Sequence, residues 1–302
     1  SYEQVRYDYF SVRNLDPQGE SGVGMGEKAA LQSEDAPSGS DGLFIVANGK
    51  ATATIIVPAS ADSRTSRAAE WLRDYVGEMS GAELKIATDA EDVVGTKISI
   101  GPTKLAIEAN LIDPDWKWDT CRMVARGDTF FLVGRDEVPL AENPSLGAHG
   151  TSRAVVAFLE KICGVRWLIP MPDGESVPRH TLLSIPKDLD QTFVPVFAFS
   201  NGRYLYGSGT PGSLANNFRC AIKLRTYGGH GYPAWLRAEE YFENHPEYFA
   251  LIDGKRTAEG NHLCTSNPEV RNIIADAIRR DFDAGYDWVA LGQEDNFARC
   301  QC

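Results

Sequence analysis

The sequence predicts an α/β chain built in two parts: a small α/β sandwich over residues 43–190, then the first half of a (β/α)8 TIM barrel over residues 193–302. Three observations lead there. Short β-branched runs alternate with amphipathic helical runs, the order that pairs strands in parallel through crossover helices. After residue 193 the polar, chemistry-bearing residues follow each strand-like run, as they do at the C-terminal strand ends of barrels and open sheets. A full barrel needs about 250 residues; 110 are present from 193 onward, so the chain reads as a piece of a longer one.

Residues 1–42 are rich in Gly, Ser, Asp and Glu without a sustained period, and read as an irregular N-terminal arm ending in a linker over 36–42. Residues 52–57 are a β-branched run closed by Pro58, a strand. Ser66 is placed to cap a helix running to about Ser80, with Ala69, Leu72, Val76 and Met79 at helical spacing and Gly81 as its stop. Residues 84–87 and 97–100 read as short strands, 104–111 as a helix, and 122–125 with 129–133 as a hairpin turning at Gly127-Asp128. Arg126-Gly127-Asp128 is turn chemistry there rather than an adhesion signal. A third helix over 151–162 buries Val155, Val156, Phe158, Leu159 and Ile162; Gly164 ends it, and 165–169 is a further strand. His149 reads as a solvated loop histidine, and its loop is no phosphate cradle, because no Gly-Lys-Ser/Thr follows. One sheet with its helices closes this part.

From residue 193 the composition changes: 17 of the 30 aromatic residues fall there. A large aromatic core takes most of them, and rings left over suit stacking on the apolar faces of sugars. Residues 196–199 read as a strand, 213–218 as a short helix, 221–224 as a second strand and 248–252 as a third, turning at Asp253-Gly254. The best-signalled helix follows. Asn267 is its cap, Pro268 its first residue, and Glu269 sits at its positive end. Val270, Ile273, Ile274, Ala277, Ile278 and Phe282 form its apolar stripe, and Gly285 stops it. Residues 288–291 are a fourth strand, left at once through Gly292.

Charge and composition narrow the partners. With 42 acidic against 30 basic residues the net charge is -12, a field that repels phosphate backbones and excludes nucleic acid. No apolar run is long enough to span a membrane. No signal peptide is visible in a chain that begins at Ser1. Six cysteines are too sparse for a disulfide-rich scaffold.

The candidate catalytic pair is Glu294 and Asp295, which arrive just past the fourth strand. Adjacent carboxylates raise one another's proton affinity, which suits one of them to act as an acid; a solvated turn or an ion pair with Arg299 is the plain alternative. His230 lies between glycines after the second strand and suits a sugar hydroxyl or proton transfer. Asn201 and Arg203 suit hydroxyls or a uronate carboxylate, and Tyr204, Tyr227, Tyr232, Trp235 and Asn296 complete the substrate-binding set. Cys300 and Cys302 suit a metal with further ligands beyond residue 302, or disulfides, or free thiols; no other cofactor is expected. Nucleotide, Ser-His-Asp and His-Glu-x-x-His patterns are absent.

Several strings carry a family resemblance. GTSRAVVAFLE at 150–160 and GVRWLIP at 164–170 resemble the end of the accessory domain that precedes the barrel in β-hexosaminidases and α-glucuronidases. AEWLRDYV at 69–76 and ISIGP at 98–102 are similar to that domain's first helix and following strand. HPEYFALIDGKR at 245–256, LCTSNPEV at 263–270 and the closing Cys-x-Cys resemble a bacterial family of unknown function that joins this accessory domain to a glycosidase-like TIM barrel. The resemblance covers 45–302 and implies a secreted or periplasmic glycoside hydrolase-like protein acting on a polysaccharide or oligosaccharide. In hexosaminidases an Asp-Glu pair after strand four does the chemistry; here Glu294-Asp295 stands in reversed order, followed by Asn296. A carbohydrate-binding protein without catalysis, and a metal-site protein built on the cysteines, are the alternatives from other classes.

Overall fold

The computed structural model describes residues 42–138, 140, 147–169, 172–196, 210–216, 223, 225, 230–295 and 299–302. The expected N-terminal arm lies outside them, apart from Gly42, which opens the first strand.

Strands β1 (Gly42–Ala47), β2 (Lys50–Ala51) and β3 (Ala53–Val57) lead into helix α1 (Ser63–Ser80). The cap of α1 is Asp62 and not Ser66: an Asp62 carboxylate oxygen accepts from the Thr65 N–H at 2.7 Å, while the Ser66 hydroxyl turns back to the Asp62 carbonyl inside the helix. Gly81 stops it in the left-handed conformation, as its sequence position predicts. Then come β4 (Lys85–Thr88), β5 (Thr96–Ile100), the short α2 (Lys104–Glu108), and the hairpin β6 (Cys121–Arg126) and β7 (Thr129–Gly134). Helix α3 (Gly150–Lys161) follows. The strand expected at 165–169 shrinks to β8 (Arg166–Trp167), paired with β9 (Glu175–Ser176). Two strands without a sequence signal, β10 (Leu183–Pro186) and β11 (Asp190–Phe193), complete this part.

Six strands form the main sheet in the order β11-β6-β7-β5-β3-β4. Strands β7, β5, β3 and β4 run parallel to one another; β6 is reversed, pairing antiparallel with β7 and with the edge strand β11. A second sheet of order β10-β1-β2, where one was expected, joins the same core through Leu43, Ile45, Val46, Leu183 and Ile185. Strand alternation divides the apolar residues cleanly. Phe130 and Leu132 of β7, with Cys121, Met123 and Ala125 of β6, pack with α1 and α3. Phe131, Val133 and Val124 face the other way, against Ala106 and Leu111 beside α2.

The start of α3 abuts the sheet with no space for side chains. A methyl group on Gly134 would overlap the backbone of Gly150, and one on Gly150 would overlap Thr120 and Arg135. Asp136, not a neighbour of the helix in sequence, caps α3: it accepts from the Thr151 N–H at 3.1 Å and the Thr151 hydroxyl at 2.5 Å. Asp119, fully buried, accepts from the His149 N–H at 2.8 Å and faces Arg153 at 3.6 Å. His149 is accordingly half-buried beside Arg64, not solvated in a loop. Burial pushes both carboxyls up to about 6, against the Arg153 charge and the His149 N–H at Asp119, and against the Thr151 hydrogen bonds at Asp136.

Beyond 193, helix α4 (Pro211–Asn216) places Leu214 in the first core. Helix α5 (Ala238–Tyr241), strands β12 (Leu251–Ile252) and β13 (Lys255–Arg256), and helix α6 (Pro268–Asp283) surround a second core of Leu236, Tyr248, Phe249, Leu263, Val270 and Ile274. The capping signals of α6 hold: Asn267 accepts from the Glu269 N–H at 2.9 Å. Phe282, expected in its buried stripe, is instead exposed. The third strand expected over 248–252 is replaced. Pro246 opens a tight 3-10 turn through Tyr248, and only Leu251–Ile252 extends, folding back antiparallel on β13 through Asp253 and Gly254 at φ 48° and 74°. The expected fourth strand at 288–291 reduces to a bridge at Trp288: its N–H donates to the Lys223 carbonyl at 3.3 Å and its carbonyl accepts from the Arg225 N–H at 2.9 Å. That is parallel pairing. Trp288 and Leu291 stay about half exposed, with nothing among the described residues covering them. The expected strand over 196–199 lies outside the described residues except for Val196, which is exposed. The architecture is mixed α/β.

Because the Asp119 and Asp136 carboxyls hold protons near pH 6 when folded, against an ordinary value of 3.8, folding binds protons in that window. Their contribution to stability is present below the ordinary carboxylate range and is lost as pH rises through about 6. Urea unfolding of Asp119→Asn should show that component reduced. Asp119→Ala, which strips the carboxylate from buried Arg153, should cost about 3–5 kcal/mol at neutral pH.

Candidate functional site

Two clusters bring chemically active side chains together. The first begins with backbone. Gly231 and Tyr232 N–H donate to the Gly292 carbonyl at 2.9 and 3.3 Å, clamping the 230–232 segment against the run that follows Trp288. A Cβ at Gly231 would sit 2.6 Å from the Ala290 carbonyl oxygen, so only glycine permits this approach. The clamp sets His230 beside both predicted carboxylates. Its Nδ1 lies 3.0 Å from Glu294 Oε2, and its Nε2 lies 3.4 Å from Asp295 Oδ2. The two acids thus stand at different edges of one imidazole.

Their environments differ. The Glu294 side chain is 19% exposed and that of Asp295 is 87% exposed. Glu294 Oε1 is buried and makes no hydrogen bond among the described residues. A buried carboxylate oxygen without a donor is uncommon, and it marks Glu294 Oε1 as an acceptor open to an incoming hydroxyl. The ion pair with Arg299 set against this reading does not occur among the described contacts; His230 takes that role.

Of the aromatic candidates, Tyr232 and Trp235 are half-buried against the second core, and the Trp235 indole N–H donates to Asp281 on α6 at 3.0 Å. Arg225 reaches the same carboxylate at 3.4 Å. Asn201, Arg203, Tyr204, Tyr227 and Asn296 lie outside the described residues.

The second cluster is of sulfur. Cys300 and Cys302 lie with their Sγ atoms 3.3 Å apart, and they meet a third thiol that sequence reading missed. Cys264 Sγ lies 3.3 Å from Cys302 Sγ, although 38 positions separate them in the chain. Burial raises the Cys264 thiol, but hydrogen bonds from Ser266, Cys302 and Arg256 outweigh it and bring the group down to about 6. The only sequence signal was the place of Cys264 in LCTSNPEV, immediately before the cap of α6.

Residues 169–302 match the family model described as Domain of unknown function (DUF4838). No curated protein matches the chain. Among solved structures, the chain is similar to the family GH115 4-O-methyl-α-glucuronidase BtGH115A, described as specific for decorated arabinogalactans, at 11% identity and a TM-score of 0.34, over 52% of this chain and 19% of that one. It is also similar to CpGH84D, at 12% identity and a TM-score of 0.24, over 37% of this chain and 17% of that one. The chain thus spans under a fifth of each of these structures, and what they act on is a property of theirs.

The clamp is testable without a substrate. Gly231→Ala should force the 230–232 segment off the Ala290 carbonyl and lower stability by about 1–3 kcal/mol. A crystal structure of that variant should show His230 withdrawn from Glu294. An unchanged melting temperature and an intact contact would contradict the close-approach argument.

Proposed function

We propose that the chain belongs to a carbohydrate-active protein of glycoside hydrolase type, in which residues 43–190 form an accessory domain and residues 193–302 form the first part of a (β/α)8 barrel. The parallel pairing of Trp288 with Lys223 and Arg225 supports the barrel assignment. Residues 294 and 295 follow that pairing directly, which is where a barrel keeps its site.

The observation that carries the reading is Glu294: one oxygen held by His230, the other buried and without a donor among the described residues. Glycoside hydrolysis needs an acid to protonate the leaving oxygen and a second group to serve the sugar carbon or an attacking water. Glu294 takes the acid role, with Oε1 directed to the glycosidic oxygen. Asp295, exposed and one residue on, orients the sugar, or takes a proton from the attacking water and returns it through His230 to Glu294 once the leaving group has gone. In this reading Asn201, Arg203, Tyr204, Tyr227 and Asn296 supply hydroxyl and stacking contacts, as do Tyr232 and Trp235, which are half-buried against the second core. The net charge of -12 suits a neutral glycan, and action outside the cytoplasm fits such a substrate.

A panel of 4-nitrophenyl glycosides, together with a glycan array, tests this. On any glycoside the chain turns over, Glu294→Gln should lower kcat by about 100-fold or more with the melting temperature unchanged. Full activity in Glu294→Gln would remove it as the acid. Glycan binding without turnover of any glycoside in the panel would favour the binding reading over the enzymatic one.

A further inference from the structure

The sulfur cluster lies apart from the His230 site in the residues that build it, and it brings three segments together. Cys264 is fixed by backbone on both sides: its N–H donates to the Tyr248 carbonyl at 2.8 Å and its carbonyl accepts from the Asn267 N–H at 3.0 Å. The run 300–302 is tied to β12, where the Gln301 N–H donates to the Leu251 carbonyl at 2.8 Å. The Leu251 N–H in turn donates to Cys300 Sγ at 3.3 Å. In an extended run residues i and i+2 face the same way, so Cys300 and Cys302 present their sulfurs together while the Gln301 side chain turns to Asp253. The three Sγ atoms all lie within 4.8 Å of one another. The Ser266 hydroxyl stands 2.9 Å from Cys302 Sγ and 3.2 Å from Cys264 Sγ.

Three thiols in so small a space are poor hydrogen-bond partners for one another, and three thiolates repel. A soft cation resolves both problems. Zinc–thiolate bonds of about 2.3 Å in a tetrahedron put sulfurs about 3.8 Å apart, inside the range these atoms span. The surroundings match what metal-bound thiolates require, namely donors to sulfur from outside the ligand set. The Leu251 N–H is one, and the Arg256 guanidinium, bonded to Cys264 and anchored on the Phe249 carbonyl at 2.7 Å, is another. Arg256 also offsets the excess negative charge of three thiolates around a divalent ion.

We propose that Cys264, Cys300 and Cys302 bind a zinc ion through three thiolates, with Ser266 Oγ or a water in the fourth position. The ion ties the 300–302 run, already bonded to β12, to the segment that opens α6.

The test uses the whole chain, reduced and stripped of metal, titrated with cobalt(II) and then with zinc. One equivalent of cobalt should produce a thiolate-to-cobalt charge-transfer band and intense tetrahedral visible bands, which zinc then bleaches. Cys302→Ser, at an exposed position, should keep the melting temperature of the metal-free chain and lose those bands. Arg256→Met should weaken cobalt binding about 10- to 100-fold while keeping the tetrahedral spectrum. If Cys264→Ser fails to fold, Cys302→Ser still decides. Absence of a charge-transfer band while all three thiols react with a thiol reagent would overturn the proposal. So would a Cys264–Cys302 or Cys300–Cys302 disulfide that forms in air in the presence of excess zinc, which would make the cluster a redox cross-link.

Discussion

Strand β7 and helix α3 meet backbone to backbone, and the larger half of the fold depends on that contact. Glycine at 134 and at 150 is what allows it, because a methyl group at either would overlap main chain. The close approach drives the first turn of α3 into the sheet end, where water cannot reach its free N–H groups. Asp136 meets that need at the cost of its own desolvation, and Asp119 does the same for the His149 N–H while facing Arg153. The rest of α3 is then aimed along the sheet, so that Val155, Phe158 and Leu159 close the core against α1. Buried carboxyls raised to about 6 are the electrostatic consequence of a packing choice and have no need of a ligand to explain them.

The later half is organised by a single stretch of backbone. Residues 287–292 and 299–302 collect partners from three earlier segments: Lys223 and Arg225 at Trp288, the 230–232 segment at Gly292, and β12 at Gln301. Among the described residues, His230, Glu294, Cys300 and Cys302 are positioned by that stretch or by what it touches. The second core beneath it supplies rigidity through Tyr248, Phe249 and Val270, and Trp235 ties the His230 segment to α6 through Asp281.

What the sequence shows and what it hides follow from how local each feature is. Helix α6 was legible end to end because its signals lie within its own length: Asn267, Pro268 and Gly285 act on adjacent backbone. Helix α1 was legible in its body but not in its cap, since Asp62 and Ser66 are both competent there and only the path of the chain chooses between them. Helix α3 hides its cap altogether, because Asp136 arrives from the far side of a loop. The third strand was misread because the continuous apolar run over 248–252 competes with Pro246, and the proline's fixed torsion prevails. Glu294, Asp295 and His230 were each singled out as polar residues past strand-like runs, and the structure sets the three together at the Gly231–Gly292 clamp although 288–291 forms only a bridge. No local signal links Cys264 to Cys300 and Cys302, so the third thiol became visible only through the hairpin that holds both segments.

The two clusters share this stretch, and that bears on how Glu294 is held. The Glu294 carboxylate is oriented from one side by His230, through the Gly231–Gly292 clamp. Among the described residues, the same stretch is held toward residue 302 by one backbone hydrogen bond to Leu251, by the Leu251 N–H on Cys300 Sγ, by the Gln301 side chain on Asp253, and by contacts of the sulfurs with one another and with Ser266. Hydrogen bonds to sulfur are weak, so these contacts hold the 300–302 end loosely. Three metal–thiolate bonds would replace those contacts with ones strong enough to resist opening, and would leave the stretch fixed at both ends. An acid that must meet a glycosidic oxygen within a few tenths of an ångström gains from such support even when the support stands outside the site. On this argument the sulfur cluster serves position rather than chemistry, and the absence of His230, Glu294 and Asp295 from its contacts is what such a division of labour requires.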